Sequence, residues 1–259
     1  MGKILRVPVR KTILATATSL TASYAKIGSA INIEGMLDLT LHLHESANVE
    51  NALIKPYVAI SGDAPTSNSG LYQLCDNTGA EIEFTVLKNE RASMSLKGVS
   101  GKYLLFYGKG AVGTDADITA FVTGNIPRLN GQTVERLNAT VLSSTELSST
   151  SYADKGNVIN IEGYDNLTLH VAETGTTEGA SIKVFVAHTG DAPTATTNLQ
   201  QFTDKDGAEL EFTVLKGEKA SFPLEGLTGK YLMIQAKKTA VGTGNATVEV
   251  KITGSAANL

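Results

Sequence analysis

The sequence predicts an all-β protein made of two tandem homologous antiparallel β-sandwich domains of jelly-roll-like type, and three observations support this fold class. Hydrophobic residues make up 42% and charged residues 19% of the 259 residues, a balance that supports a packed core. The chain contains six Pro and no Trp and is rich in Thr, Val, Ser and Gly, which favours short strands joined by turns. The chain also aligns with itself, which predicts a duplicated domain.

The internal repeat covers most of the chain. An offset of 128 residues aligns residues 24–104 with residues 152–232 without a gap, and about 45 of those 81 pairs are identical. A unit of about 110 residues has the size of an autonomous sandwich domain. We therefore predict the following segments: a basic N-terminal arm (1–12), a first sandwich domain (13–124), a linker (125–139), a second sandwich domain (140–254) and a C-terminal tail (255–259).

Strands are predicted where apolar and polar residues alternate. Residues 39–44 place three leucines on one face, and Thr40, His42 and His44 on the other, which is typical of a half-buried strand. Turn signals such as Asp206-Gly207 separate these runs. Further strands are expected over residues 54–60, 81–87, 103–107, 118–122, 182–187, 209–215, 231–235 and 247–252.

Composition and charge also limit the partners that we expect. A net charge of −4 and an aromatic content of 6% argue against nucleic acid as a partner. No apolar run reaches 18 residues, so no membrane partner is predicted, and Arg6 and Arg10 interrupt the N-terminal apolar residues, so classical secretion is not indicated. Cys75 is the single cysteine, which excludes a disulfide within the chain.

Two motifs are typical of metal sites, and both have a simpler interpretation. His42 and His44 lie on one strand face, but the second copy has His170 with Ala172, so exposed strand residues are the preferred interpretation. Asp204-Lys205-Asp206-Gly207 is similar to the start of a calcium loop, yet the position of its closing Glu holds Leu215. A hairpin turn explains this segment better, and we predict no metal site.

Motifs for catalysis or cofactor binding are equally weak. The glycines of residues 108–113 match a dinucleotide fingerprint, but a strand rather than a helix is predicted to follow. No serine lies in a nucleophile-elbow sequence. Glu81 with Glu83, and Glu209 with Glu211, are interpreted as exposed acidic strand faces rather than as general acid and base. We therefore predict no catalytic residue, no cofactor and no enzymatic activity.

The N-terminal arm is the feature without a full counterpart in the second copy. It carries Lys3, Arg6, Arg10 and Lys11 and no acidic residue. In an acidic chain, such an arm is suited to anchor on an acidic partner surface or to add a strand to it. A solvated tail is the alternative.

One pattern resembles a known family. It consists of residues 18–25, Gly28, Ile31 to Gly35 and Leu39 to Leu41, and the second copy repeats it from residue 144 to Leu169. This pattern resembles a β-rich domain of tailed-bacteriophage virion proteins of the capsid decoration (minor capsid), head-fibre or neck-associated type. The resemblance implies a location in the virion, after assembly in the bacterial host cytoplasm.

The implied function is a structural one. The chain would bind the major capsid or neck (connector) proteins and stabilise or decorate the particle, with a homo-oligomer as one arrangement. A carbohydrate- or receptor-binding module of a phage fibre is the alternative, although the absence of Trp weakens the case for an aromatic sugar platform.

Overall fold

All regular secondary structure that the structure describes is β-strand. The computed structural model describes residues 4–47, 49–76, 79–113, 116–129, 132–133, 136–175, 177–204, 206–240 and 244–256. The prediction of an all-β fold with antiparallel sheets is confirmed. Within these ranges no helix is long and apolar enough to cross a membrane. The chain forms two compact units: unit 1 comprises Met1–Leu74 and Glu81–Glu135, and unit 2 comprises Cys75–Ala80 and Arg136–Leu259.

Unit 1 consists of two antiparallel sheets. Its strands are β1 (Ile4–Ser19), β2 (Ala25–Asn32), β3 (Leu37–Glu45), β4 (Ala52–Ala59), β5 (Tyr72–Leu74), β6 (Phe84–Val86), β7 (Arg91–Ser95), β8 (Tyr103–Gly110), β9 (Asp117–Leu129) and β10 (Gln132–Thr133). One sheet has the order β1-β9-β3-β7, and β10 also pairs with β9. In the other sheet β8 lies between β2 and β4, and β4 pairs also with β5 and β6.

Unit 2 repeats this arrangement. Its strands are β11 (Arg136–Leu147), β12 (Ala153–Asn160), β13 (Tyr164–Glu173), β14 (Ala180–Ala187), β15 (Gln200–Gln201), β16 (Phe212–Val214), β17 (Lys219–Pro223), β18 (Tyr231–Lys238) and β19 (Ala246–Ala256). One sheet runs β11-β19-β13-β17, and the other runs β12-β18-β14-β15 with β16 paired to β14. The strands β3, β7 and β9 of unit 1 therefore correspond to β13, β17 and β19.

The core of each unit follows the alternation read from the sequence. Leu39, Leu41 and Leu43 on β3 are at most 3% exposed, and Leu169 and Val171 on β13 are fully buried. Each fully buried aliphatic side chain of this size stabilises the fold by about 1.5–3 kcal/mol. Alternate residues of these strands consequently face the other side of the sheet, and there they form the site described below.

The structure differs from the expected N-terminal arm. Residues 4–12 belong to β1 and pair with β9 in continuous register from Ile4↔Leu129 to Thr12↔Phe121. The alternation of Arg6, Pro8 and Arg10 with Val7 and Val9 is a strand pattern, which the concentration of positive charge concealed.

The segment expected to be a linker is also largely strand. Residues 125–129 continue β9, β10 follows at Gln132–Thr133, and β11 begins at Arg136. Strand pairing explains this difference. β9 pairs with β1 and β19 pairs with β11, and both pairs continue beyond the limits of the repeated pattern. The division into domains, linker and tail given by the sequence stays a prediction.

Candidate functional site

The residues expected to anchor a partner are distributed over two sides of β1. Lys3 lies outside the described residues. Arg6 and Arg10 occupy alternate positions and share the outer face of the sheet, where the Nη1 atom of Arg6 donates to Oδ2 of Asp38 at 3.0 Å. Lys11 is exposed, and the alternation along β1 directs it to the other side. The structure therefore brings Arg6 and Arg10 together, but not Lys11.

Arg10 forms part of a stack that crosses three strands. Its guanidinium carbon lies 3.9 Å from the centre of the Phe121 ring, and the His42 ring stacks on the same ring with centres 4.6 Å apart and planes 16° apart. β1 and β3 flank β9, so the guanidinium and the imidazole approach Phe121 from opposite sides. A cation over an aromatic face at a partly exposed site contributes about 0.5–1 kcal/mol.

These side chains define a basic face on unit 1. We use this name for Arg6, Arg10, His42, Arg91 and Phe121, which lie on the outer face of the sheet β1-β9-β3-β7. Arg91 is exposed and lies opposite His44 on the neighbouring strand. The arginines give this face a positive charge in a chain whose net charge is −4.

Both ring nitrogens of His42 have hydroxyl partners. Nδ1 lies 2.8 Å from Oγ of Ser93 on β7, and Nε2 lies 2.8 Å from Oγ1 of Thr123 on β9. A neutral imidazole can donate from one nitrogen and accept at the other, so the two hydroxyls satisfy it. No group of three or more His, Cys, Asp or Glu side chains with metal-binding geometry occurs in the described part of the chain.

Unit 2 has the same histidine arrangement in a different environment. His170 Nδ1 lies 2.7 Å from Ser221 Oγ, and Nε2 lies 2.8 Å from Thr253 Oγ1. His170 is fully buried, and this burial, followed by the charge of Lys251, lowers its pKa to about 3. The imidazole of His170 is therefore neutral at physiological pH.

The stack of unit 1 has no counterpart in unit 2. The strand position of Phe121 is taken by Lys251, and that of Arg10 by Asn138. His170, Ser221 and Thr253 are all less than 5% exposed, whereas His42 and Thr123 are half-buried and Ser93 is exposed. An exposed version of this sheet face, with a guanidinium stacked on an aromatic ring, is thus found in unit 1 and not at the equivalent positions of unit 2.

A second cluster lies on the other sheet of unit 1. The Tyr24 ring has the Nζ atoms of Lys55 and Lys109 at 4.9 Å each. Glu81 accepts a hydrogen bond from Lys55, and Glu83 accepts one from Tyr24. Burial raises the pKa of Tyr24, and the carboxylate of Glu83 raises it further, so the phenol stays protonated at physiological pH.

Unit 2 contains the equivalent cluster around Tyr152. Lys183 and Lys237 place their Nζ atoms 4.9 and 4.4 Å from this ring, and they pair with Glu209 at 3.1 Å and Glu211 at 3.5 Å. The carboxylates expected to form exposed acidic faces are therefore each next to a lysine or a tyrosine. These clusters are matched ion pairs, each worth about 0–1 kcal/mol at the surface.

A buried glutamate organises the loops at one end of each unit. Glu173 accepts hydrogen bonds from the backbone N–H groups of Gly175 at 2.7 Å, Thr247 at 2.9 Å and Gly217 at 2.6 Å. Glu45 does the same in unit 1, where Ala47, Asn89 and Asp117 donate. Each carboxylate thus joins three loops, which is a structural role.

The glycine-rich and Asp-rich motifs are turns. Glu50 Oε2 accepts the N–H groups of Val112 and Gly113 at 2.6 Å each, so the glycines close a loop after β8. Asp204 Oδ1 accepts the N–H groups of Asp206 and Ala208 at 2.9 Å each, which confirms the predicted hairpin turn.

The Ser–His–Thr arrangement was not identified from the sequence. Its signal is present in the repeat, because the histidine, the serine and the threonine are identical in the two copies and share one face of the sheet in each. The three residues are up to 81 positions apart in the sequence of unit 1. A comparison of the copies for shared polar residues finds them once strand pairing is known.

Comparison with known proteins gives distant likenesses only. No family model and no curated protein sequence matches the chain. Among solved structures, the exported protein XepA of PBSX is 12% identical over 95% of this chain and 86% of that chain, with a TM-score of 0.31. The Sulfolobus Turreted Icosahedral Virus structure is 10% identical over 99% and 94%, with a TM-score of 0.26. PNGase F, a glycosylasparaginase from Flavobacterium meningosepticum, is 7% identical over 96% of each chain, with a TM-score of 0.37.

The likeness to PNGase F contradicts one prediction. The sequence led us to expect that the chain is not an enzyme, because no local catalytic motif was found. Structures of PNGase F, an amidase, are among those that this chain matches, at 6–7% identity and a TM-score of 0.37. Catalytic groups need only meet in space, so the lack of a local motif does not exclude an enzyme, and that prediction is wrong.

Proposed function

We propose that the chain is a structural component of a tailed-bacteriophage virion and that it binds another virion protein, a major capsid or neck protein, through the basic face of unit 1. The observation that carries this proposal is the stack of Arg10, Phe121 and His42 on an exposed sheet face. The resemblance of the repeated pattern to virion proteins supplies the class of particle.

The charge of the basic face indicates the chemistry of its partner. Arg6, Arg10 and Arg91 lie on this face, and Asp38 forms an ion pair with Arg6. An acidic surface on the partner complements this charge and speeds the encounter, an effect that salt weakens.

The stack also prepares Arg10 for binding. A guanidinium that rests on an aromatic ring has already lost part of its rotamer freedom, so less entropy is lost when it forms hydrogen bonds with a carboxylate. Arginine and aromatic residues at the centre of a patch are the usual hot spots of protein interfaces. Arg10 is therefore the residue whose loss we expect to weaken binding most.

A glycan-binding module has less support from the same geometry. Sugar sites present an open aromatic face, whereas Phe121 lies between Arg10 and His42. Tyr24 and Tyr152 each have two lysine ammonium groups near the ring. A glycan array with the full chain separates the two functions.

The test is a binding assay with virions from which this chain is missing. We expect Arg10→Ala to reduce binding of the full chain to such particles at least tenfold, and we expect binding of the wild-type chain to weaken as salt increases. Asn138→Ala, at the equivalent position of unit 2, is the matched control and should bind as the wild type does.

Two results would overturn the proposal. Equal binding of Arg10→Ala and wild type would remove the basic face from the interface. Binding to glycans, with no binding to particles, would favour the receptor-binding module. Electron cryo-microscopy of the native particle would then show whether the chain occupies the capsid, the neck or a fibre tip.

A further inference from the structure

Unit 2 contains a short segment that belongs to the first sequence repeat. This segment, Cys75–Ala80, lies at the outer edge of β17, where the N–H of Cys75 donates to the carbonyl of Ser221 at 2.9 Å. Cys75 is 4% exposed and Ser221 is fully buried. The end strand of the sheet β11-β19-β13-β17 therefore has its outer edge covered.

Unit 1 has an equivalent edge that is uncovered. Ser93 on β7 corresponds to Ser221 at the repeat offset, and β7 is the end strand of the sheet β1-β9-β3-β7. The backbone N–H of Leu96 donates to the carbonyl of Leu39, and the carbonyl of Glu90 accepts from the N–H of Glu45. The backbone groups of the even-numbered residues of β7 therefore point towards β3, and those of Ser93 point away from it. Among the described strands only β3 pairs with β7, and Ser93 is exposed.

Unit 2 has an equivalent donor, and no acceptor for it is found among the residues that the structure describes. Thr203 corresponds to Cys75 at the same offset. In the hairpin the N–H of Asp204 donates to the carbonyl of Ala208 at 2.9 Å, and the N–H of Leu210 donates to the carbonyl of Phe202 at 3.1 Å. The N–H of Thr203, which lies between these positions, therefore points away from the hairpin. The first copy has the same hairpin geometry, in which Asp76 donates to Ala80 and Ile82 donates to Leu74.

Burial shows the same contrast on the donor side. Cys75 is 4% exposed. Its counterpart in the second copy, Thr203, is half-buried. The described residues thus include two equivalent donors, the N–H groups of Cys75 and Thr203, and two equivalent acceptors, the carbonyls of Ser221 and Ser93. Cys75 and Ser221 are paired with each other.

We propose that the chain associates head to tail with further copies of itself, through the Thr203 hairpin of one copy and the β7 edge of the next. In this contact the Thr203 N–H donates to the Ser93 carbonyl, as Cys75 does to Ser221 within one chain. An extended segment that adds to an exposed sheet edge is a common mode of recognition. A heterologous contact of this kind forms rings or open chains rather than closed pairs.

Charge agrees with a second copy as the occupant. Asp204, next to Thr203, is conserved between the copies as Asp76, and Arg91 on β7 replaces the Lys219 of β17. Both versions therefore have an acidic residue next to the donor and a basic residue on the acceptor strand. The contact between copies lacks the high effective concentration of the contact within a chain, so it requires a high protein concentration or a surface that holds the copies side by side.

The test uses two proline variants of the full chain. Ser93→Pro removes an outward N–H and blocks the acceptor edge, whereas Thr203→Pro removes the donor N–H. Neither change removes a backbone hydrogen bond to β3 or within the hairpin. We expect the wild-type chain to increase in mass with concentration in sedimentation equilibrium, and each variant alone to remain monomeric. An equimolar mixture of the two variants should form dimers and nothing larger, because one free donor and one free acceptor remain.

Matched variants separate backbone contacts from side-chain effects. Ser93→Ala removes the hydroxyl that contacts His42 but keeps the backbone groups, and Thr203→Cys introduces the residue of the first copy. Both should associate as the wild type does. A monomeric wild type at every concentration, proline variants that associate fully, or a mixture without dimers would each overturn the proposal.

Hydrogen exchange of the wild-type chain provides a measurement that does not depend on the folding of a variant. The amide of Thr203 and the outward amides of β7 should exchange more slowly as the protein concentration rises. Exchange rates at these amides that do not change with concentration would contradict the contact.

Discussion

Gly28 shows how a single backbone position shapes the register irregularity within β2. It has a φ of +62°, and a Cβ atom built there would lie 2.2 Å from the carbonyl oxygen of Ile13. Gly156, its counterpart in unit 2, has a φ of +74° and the same conflict with Val141 at 2.1 Å. Glycine at this position therefore relieves both a left-handed backbone and a steric contact.

We expect Gly28→Ala to destabilise unit 1 strongly. Gly62→Ala is the matched control, since Gly62 has a φ of +84° but no atom within 4 Å of its added Cβ. The control should lower the free energy of unfolding by about 1–2 kcal/mol, the cost of a left-handed alanine, and Gly28→Ala should lower it by more than twice as much. Urea titration measures both, and equal losses would show that the contact with Ile13 relaxes easily.

His170 makes the stability of unit 2 depend on pH. Its pKa is lowered to about 3 in the folded protein, while an unfolded histidine has the ordinary value of 6.5. Between these values the unfolded chain binds a proton that the folded chain excludes, so stability falls as the pH falls below 6.5 and the loss continues to about pH 3. The contribution of His170 is complete above pH 6.5.

The expected slope is about 1.4 kcal/mol of unfolding free energy per pH unit between pH 6 and pH 4, beyond that of the other groups. His170→Gln should remove this part of the slope. Urea titrations at several pH values measure it. Parallel slopes for His170→Gln and wild type would show that the buried imidazole gains a proton without cost.

The strand β1 has two roles, because it presents positively charged side chains and also pairs with β9. Residues 4–11 form eight consecutive pairs with β9, and two arginines of the basic face project from this segment. If residues 1–11 were a solvated tail, their deletion would leave both domains folded. The structure predicts otherwise, because the deletion exposes the edge of β9.

We expect the chain that lacks residues 1–11 to unfold at lower urea in its first transition and to aggregate more readily. The double variant Arg6→Ala and Arg10→Ala keeps the strand and should lose about 1 kcal/mol or less, the value of exposed ion pairs and cation–aromatic contacts. An intact first transition after the deletion would show that residues 4–11 do not pair stably with β9.

The whole molecule is a duplication whose second unit includes a segment from the first repeat. Arg136 pairs with Ser255 at the start of β11, so a fragment that begins at residue 140 removes the first part of this strand. A fragment of residues 136–259 keeps all of β11 but lacks Cys75–Ala80. Its stability therefore reports what this segment contributes to unit 2.

We expect residues 136–259 to unfold in one cooperative transition, with a free energy of unfolding about 1–3 kcal/mol below that of unit 2 in the full chain. Differential scanning calorimetry of the fragment and of the full chain measures this. Cys75→Thr in the full chain is the control and should retain most of the stability, since Thr occupies this position in the second copy. A broad transition of the fragment would count against a unit that folds independently.

Much of the fold followed from the sequence because it depends on local chemistry. Alternation along residues 39–44 indicated which leucines are buried, and Asp204 with Gly207 indicated a hairpin, since both patterns act within a few residues. Of the basic face, Arg6 and Arg10 were predicted from charge. Phe121 and His42 were not, because only the pairing of β3 with β9 brings these two residues side by side.

The sequence by itself determined the β class, the duplication and the faces of the strands. Tertiary structure alone decided how differently the two copies use the same residues. His42 and His170 have the same serine and threonine partners, yet His42 is half-buried on a cationic face and His170 is fully buried and neutral. The physical reason is that side-chain pattern depends on neighbours in sequence, whereas burial depends on contacts between residues far apart in the chain.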